Sequence, residues 1–458
     1  MNRISRILIA NRGEIAARII RACRDMGIST ILSVSQADKE SLPAQLADRT
    51  ICVGPAPPKD SYLNVDYLIT AASGTHCDAI HPGYGFLSER PELVDACEKN
   101  DLIFVGPSSE NIRKMGNKLT AREIARECGL PTIPGSQRVE RLKDAIDATE
   151  EMGLPVIVKA AAGGGGRGMA IIETMAQLQS VFDALSFEVH SAFGDGSLFL
   201  ERYFPNARHI EVQIIGDRFG RVIHLFERDC TVQRRHQKLV EEAPCPVLSA
   251  EQRTNITRAA VELAKSIGYE SCGTVEFIFD QDTDKFYFLE MNTRLQVEHP
   301  VTEEITGIDI VKEQIRIADD YPIGYSQEDI HMDGHAIECR INAESCYKDF
   351  APCPGLIEHW RPPQGKGIRL ETHCFSKYKV PPFYDSLLAK LIVKSNNRNE
   401  AIDLMHTALK DFVVQGINST VPFHIALFEH PDFLKANINT TWLEQVFMLQ
   451  FRGKNESN

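Results

Sequence analysis

Residues 285–298 read KFYFLEMNTRLQVE. Successive side chains of a strand point to opposite faces. Tyr287, Leu289 and Met291 therefore share one face, and Glu290, Asn292 and Arg294 share the other. If the backbone stays extended, Gln296 and Glu298 continue that second face. One short segment thus presents a carboxylate, an amide, a guanidinium and another carboxylate in a row. Just upstream, Gly273–Asp280 reads GTVEFIFD, where Glu276 alternates against Val275 and Phe277. The segment DQDTDK (Asp280–Lys285) forms a turn and predicts a hairpin, across which Glu276 and Glu290 meet. Two carboxylates and the Asn292 amide oxygen on rigid strands suit Mg²⁺, a hard cation that takes oxygen ligands and often keeps phosphate as another. The competing reading is a polar sheet face with its acids in solvent. The rest of the chain favours the metal.

Of 458 residues, 43% are hydrophobic and 25% charged. This is the composition of a globular chain of about three domains. The net charge of −13 argues against a nucleic-acid scaffold, which needs a basic surface to neutralise phosphates. The twelve cysteines contain no C-x-x-C pair, so structural zinc and a thioredoxin-like site are not expected. The start, MNRISRILIANRGE, has too short an apolar run for a signal peptide. No apolar stretch is long enough to span a bilayer. The expectation is a cytoplasmic protein with reduced cysteines, no membrane contact and no nucleic-acid partner.

The chain opens as an α/β unit. Arg6–Asn11 (RILIAN) predicts a buried strand, Glu14–Met26 a helix, and Ile28–Val34 the next strand, a βαβ start. Helices at Asp66–Ala72 and Pro91–Asn100 alternate with strands at Ala79–His81 and Leu102–Val105. The loop HPGYGFLSE (His81–Glu89) follows a strand end, where such sheets gather ligand loops. NRGE stands where a dinucleotide fold would carry G-x-G-x-x-G, so a Rossmann cofactor is not expected. Further on, Lys114–Gly129, Arg253–Gly268 and Ile308–Ala318 read as helices. Val156–Ala161, Met169–Glu173 and much of Leu198–Gly216 read as strands. After about residue 330 come short strands with Pro/Gly turns, a final helix at Asn399–Phe412, and a frayed polar tail.

Several clusters carry chemistry. GGGGRG (Gly163–Gly168) follows a strand bearing Lys159; glycine backbone there can wrap phosphate oxygens, and a mobile phosphate-covering lid is preferred over a plain hairpin turn. It is not a Walker A loop. Lys118, in MGNKLTAR, is a second nucleotide candidate that alone would be a surface lysine. QRRHQKLVEE (Gln233–Glu242) reads as a solvated charged loop, or as a loop that aims His236 and Lys238 at an anion. In HAIECRIN (His335–Asn342), Glu338, Arg340 and Asn342 share a face. Arg340 can hold an oxyanion, although locally an Arg–Glu pair is the plainer reading. Together these clusters fit an ATP-dependent ligase that forms an acyl phosphate.

The segments IANRGEIAARIIRA, HPGYGFLSE, VKAAAGGGGRGM, ERDCTVQRRHQKLVEEAP, FLEMNTRLQVEHPVTE, HAIECRINAE and PPFYDSLLAKL resemble biotin carboxylase, the ATP-grasp component of biotin-dependent carboxylases. The resemblance runs over about residues 4–445. It implies a multidomain α/β and α+β fold: an N-terminal α/β domain (1–114), an ATP-grasp domain (115–330) with a mobile lid at about 131–203, a C-terminal domain (331–447) and a tail (448–458). It implies that Lys118, Lys159, Gly165, Gly166, Glu201, His209, Gln233, His236, Glu276 and Glu290 contact ATP. Glu276, Glu290 and Asn292 would hold Mg²⁺ or Mn²⁺. Lys238, Arg294, Gln296, the Val297 backbone and Glu298 would bind bicarbonate, with Glu298 as the base. Arg340 would stabilise a biotin enolate, and Tyr84 and Gly85 would lie beside the biotin ring. The implied reaction makes carboxyphosphate and then carboxybiotin. One departure is Ala161–Ala162, where some members carry Ser-Gly. No A-M-K-M biotinylation signature is present, so biotin is expected on a separate biotin carboxyl carrier protein. Carboxyltransferase subunits and a homodimer are the expected partners. The expected setting is acetyl-CoA carboxylase in fatty acid synthesis. The alternatives are a pyruvate or other acyl-CoA carboxylase, or a different ATP-grasp ligase.

Overall fold

A computed structural model describes residues 3–160, 169–193 and 196–455. The apolar run at the start folds as its composition requires. Ile7, Leu8 and Ile9 are completely buried in strand Arg6–Ile9, the centre of a five-stranded parallel sheet. In spatial order its strands are Arg49–Gly54, Ser29–Ser35, Arg6–Ile9, Ala79–His81 and Ile103–Phe104. All pairings are parallel, so both faces need covering and each strand reads as a nearly continuous apolar run. Helix Gly13–Asp25 leaves the end of the first strand, and loop 82–90 leaves the end of Ala79–His81. Both therefore reach the same carboxyl edge of the sheet.

Residues 131–202 build a small separate layer. Strands Met169–Ile172, Val156–Ala160 and Leu198–Arg202 form an antiparallel sheet, packed under helices Leu142–Met152 and Met175–Phe193. Leu178, Phe182, Leu185 and Val189 fill its core. The GGGGRG segment, with Gly165 and Gly166, lies outside the described residues.

The largest element is a mixed-length antiparallel sheet of eight strands. In order they are Lys285–Asn292, Ser271–Asp280, Ala207–Gly216, Val222–Arg234, Gln237–Ala243, His335–Asn342, Leu387–Ser395 and Ile368–Thr372. The sheet draws its strands from residue 207 to residue 395 in sequence, so the segment after 330 adds strands to an existing sheet. Helix Ala250–Ser266 covers it, started by a capping box between Ser249 and Gln252.

Several sequence expectations change. Lys114–Gly129 is two helices, Ser109–Gly116 and Lys118–Glu127. Asn117 interrupts them because its side chain accepts from the backbone N–H groups of Leu119 and Thr120 at 3.1 Å, a local bond that competes with helix continuation. Leu198–Gly216 divides between two sheets at 203–206. The charged segment Gln233–Glu242 is no solvated loop. It is a tight hairpin whose turn residues Arg235 and His236 both have positive φ, 48° and 64°. The helix at 398–411 is not the last: Val421–Leu427, Pro431–Leu434 and Met448–Asn455 follow. Phe451, just before the polar tail, is buried and stacks on Tyr347, ring centroids 5.5 Å apart; residues 456–458 lie outside the described residues.

Candidate active site

The predicted hairpin pairs strands Ser271–Asp280 and Lys285–Asn292, with Glu276 directly opposite Glu290. Ser271–Asp280 also pairs with Ala207–Gly216, which sets Glu211 opposite Glu276 on the other side. Arg228 comes next, opposite Glu211. Three carboxylates in one cross-strand row repel each other, so the row calls for cations. Lys238 supplies one. Its ammonium lies 2.5 Å from Glu211 Oε2, 3.0 Å from Glu276 Oε1 and 2.7 Å from Glu298 Oε1. Burial would lower its pKa, but Glu211, Glu276 and Glu298 hold it well above the ordinary lysine value. Arg228, fully buried, pairs with Glu211 and donates to Gln213 and Thr302.

Among the described residues, Glu290 at the end of the row makes no ion pair. Burial first, and the charge of Glu276 next, raise its carboxyl above the ordinary range. At Glu276 burial acts the same way, but Lys238 and His209 outweigh it and keep that carboxyl ionised. His209 Nε2 lies 2.9 Å from Glu276 Oε2, an ion-pair distance without hydrogen-bond alignment. Its imidazole pKa is raised, Glu276 outweighing burial. A divalent cation between Glu276 and Glu290 would relieve their repulsion, so this donor set fits Mg²⁺ or Mn²⁺. The Asn292 amide turns its nitrogen to Glu276 (2.8 Å) and its oxygen to Arg294 (3.0 Å).

A bulge modifies the predicted alternation. Glu276 faces Glu290 while Phe277 faces Phe288, which leaves Leu289 as the extra residue. Leu289 then lines the same cleft as Glu290, although strict alternation puts it on the opposite face. The extended chain also stops at Asn292. Residues 293–298 turn, and Glu298 becomes the residue before helix His299–Thr306. Gln296 and Glu298 reach the site from this turn and not from a continued strand.

Glu298 is fully buried and is gripped at both oxygens, by Lys238 at Oε1 (2.7 Å) and by Arg340 Nη2 at Oε2 (2.9 Å). Burial opposes its charge, yet Lys238, Arg340 and Arg228 together hold its carboxyl well below the usual range. Arg340 also donates from Nε to Glu241 Oε1 at 2.7 Å. Burial, and beyond it the charge of Glu298, push Glu241 up to about 7 against the pull of Arg340. Arg294 donates to Glu89 Oε2 at 2.7 Å and to Gln296 Oε1 at 2.9 Å. Glu89 is the last residue of HPGYGFLSE, so the N-terminal loop braces this arginine.

These groups surround a cleft of roughly 1110 Å³. Of the residues selected from sequence, Tyr84, Gly85, Lys118, Lys159, Glu201, His209, Gln233, His236, Lys238, Glu276, Glu290, Asn292, Arg294, Gln296, Val297 and Arg340 line it. Glu298 lies beneath its floor. Lys159 spans to Glu201, with Nζ 2.5 Å from Oε2. Ile157, Met169, Tyr203, Phe204 and Ile278 give one end of the cleft an apolar lining, suited to a flat aromatic base. Sequence reasoning missed Glu89, Glu211, Arg228 and Glu241 as partners of the site. Glu211 alone carried a signal, since it alternates with His209 on one strand face.

Family models described as biotin carboxylase N-terminal domain, carbamoyl-phosphate synthase L chain ATP binding domain, and biotin carboxylase C-terminal domain match residues 3–112, 117–325 and 338–445. The chain is 48% identical over 442 residues to biotin carboxylase 1 of Bacillus subtilis, covering 96% of this chain and 98% of that protein. It is 46% identical to a biotin carboxylase of Nostoc, over 445 residues that cover 97% of this chain and 99% of that protein. The structure superposes with TM-score 0.93 on a Campylobacter jejuni biotin carboxylase complexed with β,γ-ATP, at 47% identity, covering 96% of this chain and 98% of that one. It superposes with TM-score 0.91, at 45% identity and covering 96% and 97%, on the biotin carboxylase domain dimer of Hydrogenobacter thermophilus 2-oxoglutarate carboxylase bound to MgADP, ADP and bicarbonate.

Proposed function

This chain belongs to the biotin carboxylase family, and from that premise we propose that it uses ATP and bicarbonate to carboxylate biotin borne by a separate carrier protein. The observation that carries this reading is the Glu298 carboxylate, held by Lys238 and Arg340 at the base of a cleft that also contains a carboxylate pair suited to a divalent cation.

The residue roles are those the family resemblance implies, and the placement of most of these residues around one cleft supports them. Lys118, Lys159, Glu201, His209, Gln233 and His236 hold the nucleotide, together with Gly165 and Gly166 of the glycine-rich segment. Glu276, Glu290 and Asn292 would hold Mg²⁺ or Mn²⁺; when bound, the cation would neutralise phosphate charge. Lys238, Arg294, Gln296 and the Val297 backbone seat bicarbonate. The anion shares the positive field of Lys238, which loosens that field's grip on Glu298 and lets the carboxylate accept the bicarbonate proton. Bicarbonate then attacks the γ-phosphate, releasing ADP and forming carboxyphosphate. Carboxyphosphate breaks down to CO₂ and phosphate in a site closed to water. Phosphate removes the biotin N1′ proton, Arg340 stabilises the enolate, and the enolate takes up CO₂ beside Tyr84 and Gly85.

We assign residues 1–114, 115–330 and 331–447 to the three domains, with the lid at about 131–203. The partners we expect are a biotin carboxyl carrier protein, carboxyltransferase subunits and a second copy of the chain. The final acceptor we favour is acetyl-CoA. A 2-oxo acid is the second reading, supported by the similarity to a 2-oxoglutarate carboxylase domain. Among the described residues no helix is long and apolar enough to cross a membrane.

The test is ADP release by the purified chain with Mg²⁺ and bicarbonate, with and without free biotin. Bicarbonate-dependent release stimulated by biotin is expected. Release that ignores biotin but responds to an amine or another acid would overturn the reading in favour of a different ATP-grasp ligase.

A further inference from the structure

We propose that Lys390 is a positioning residue that ties the bicarbonate and biotin subsites together, an inference that rests on the function proposed above. Lys390 lies on strand Leu387–Ser395, directly opposite Arg340. It is completely buried. A buried ammonium is unfavourable unless its donors are matched, and here they are matched by groups from two other parts of the chain. Nζ donates to the backbone carbonyl of Val297 at 2.7 Å. It also lies 3.2 Å from Glu14 Oε1, on the first turn of helix Gly13–Asp25. The same Glu14 oxygen accepts a hydrogen bond from the Tyr84 hydroxyl.

Each bond constrains a different subsite. The Val297 carbonyl belongs to the peptide joining Val297 to Glu298, so its capture fixes the approach of the chain to the Glu298 carboxylate. The preceding carbonyl, of Gln296, lies 2.8 Å from His299 Nδ1. In a trans peptide the N–H points opposite the C=O. The Gln296 carbonyl, held by His299, therefore orients the Val297 N–H, and the Val297 carbonyl, held by Lys390, fixes the next peptide, which leads into Glu298. On the other side, Glu14 anchors Tyr84 at the tip of the loop assigned to biotin, next to Gly85 with its positive φ of 65°. One ammonium therefore sets the relative position of the anion-binding backbone and the biotin-facing ring. Among the described residues no hydrogen bond or ion pair joins its ammonium to a residue assigned to the nucleotide.

The test is steady-state ADP release by the full chain, varying ATP, bicarbonate and free biotin in turn. For Lys390→Met we expect KM for bicarbonate and KM for biotin each to rise by about tenfold or more, while KM for ATP stays within about twofold. A folded Lys390→Met chain with both of those KM values within about twofold of the parent overturns the proposal. Removal of the ammonium leaves the buried Glu14 without its cation, so that variant can fail to fold; Glu14→Gln then decides. It keeps the Lys390–Val297 bond but removes the charge that anchors Tyr84. KM for biotin should rise by about fivefold with KM for bicarbonate steady, and an unchanged KM for biotin overturns the proposal. If the parent chain itself shows no bicarbonate-dependent ADP release, the functional reading fails and the Lys390 proposal falls with it.

Discussion

Glu298 has one cation on each oxygen and no exposure to solvent. Glu298→Gln keeps the shape but removes the group proposed to accept the bicarbonate proton. Bicarbonate-dependent turnover should fall by roughly 10²–10⁴, the usual worth of a general base. Unchanged turnover, measured as ADP release, would remove Glu298 from that role. Glu338 poses a different problem. It stands opposite Glu241 on the neighbouring strand, and both of its oxygens are buried without a hydrogen-bond partner. Burial first, then Glu241 and Glu298 against the pull of Lys390, raises its carboxyl well above the ordinary 4.5. A carboxyl that holds its proton more tightly when folded loses stability as pH rises above its unfolded value. Glu338→Gln should therefore be about 1 kcal/mol more stable than the parent near pH 8 and show no gain near pH 5. Denaturant titrations at the two pH values check this, and the opposite trend would mean that Glu338 is ionised and paired. That Glu276, Glu290 and Asn292 face the cleft was legible from alternation in the sequence. Their countercharges were not, because a strand pattern gives a face but does not name the neighbouring strand, and Glu241 and Arg228 arrive from strands not adjacent in sequence to 285–298.

At the scale of elements, helix Arg398–Asp411 is pinned by its first residue. Arg398 donates to Glu242 at 2.7 and 3.2 Å and to the carbonyls of Phe433 and Leu434 at 2.9 Å. His335 shares the same Glu242. Burial would raise the Glu242 carboxyl, but Arg398 and His335 bring it down from 4.5 to about 2. A depressed carboxyl contributes stability that is present above its unfolded value and is lost as pH falls through the folded one. The loss therefore runs from pH 4.5 down to about 2. Arg398→Met leaves a buried acid half-paired, which costs about 3–5 kcal/mol at neutral pH, and it should move acid unfolding to higher pH. An unshifted acid midpoint followed by circular dichroism would show that Arg398 does not set that transition. The helix itself was legible, since Asn397 caps it and its apolar spacing is regular. The hairpin carrying Glu276 and Glu290 was legible for the same kind of reason. The bulge at Leu289 was not, because it is set by pairing to a partner strand and no local residue marks it. The turn after Asn292 was also hidden, because NTRLQVE contains neither glycine nor proline.

Across the whole molecule, one buried ionic network joins three distant parts of the sequence. Glu303, on helix His299–Thr306, accepts from Arg18 at 3.0 Å and from Arg369 at 2.8 Å. Arg18 comes from the N-terminal helix and Arg369 from strand Ile368–Thr372. Arg18 continues to Asp309 at 2.5 Å, and Arg369 to Glu371 at 2.9 Å. This network stands behind the turn that carries Glu298, so it fixes how the five-stranded sheet sits against the eight-stranded one. The sequence shows a parallel unit, a hairpin and later strands, but not that they close on a common ionic centre; that depends on contacts between residues nearly 300 positions apart. A nearby exposed pair provides the contrast. Lys312 bridges to Asp25 at 2.8 Å between the same N-terminal helix and helix Ile310–Ala318, with both side chains partly in solvent. An exposed pair contributes about 0–1 kcal/mol, whereas breaking a buried one costs about 3–5 kcal/mol because the remaining charges stay desolvated. Glu303→Gln should therefore lower the denaturant midpoint strongly, and Lys312→Met should barely move it, although both cut a link to the same helix. Equal effects of the two substitutions in parallel denaturant titrations would show that burial does not separate these contacts, and that apolar packing between the sheets holds the domains together instead.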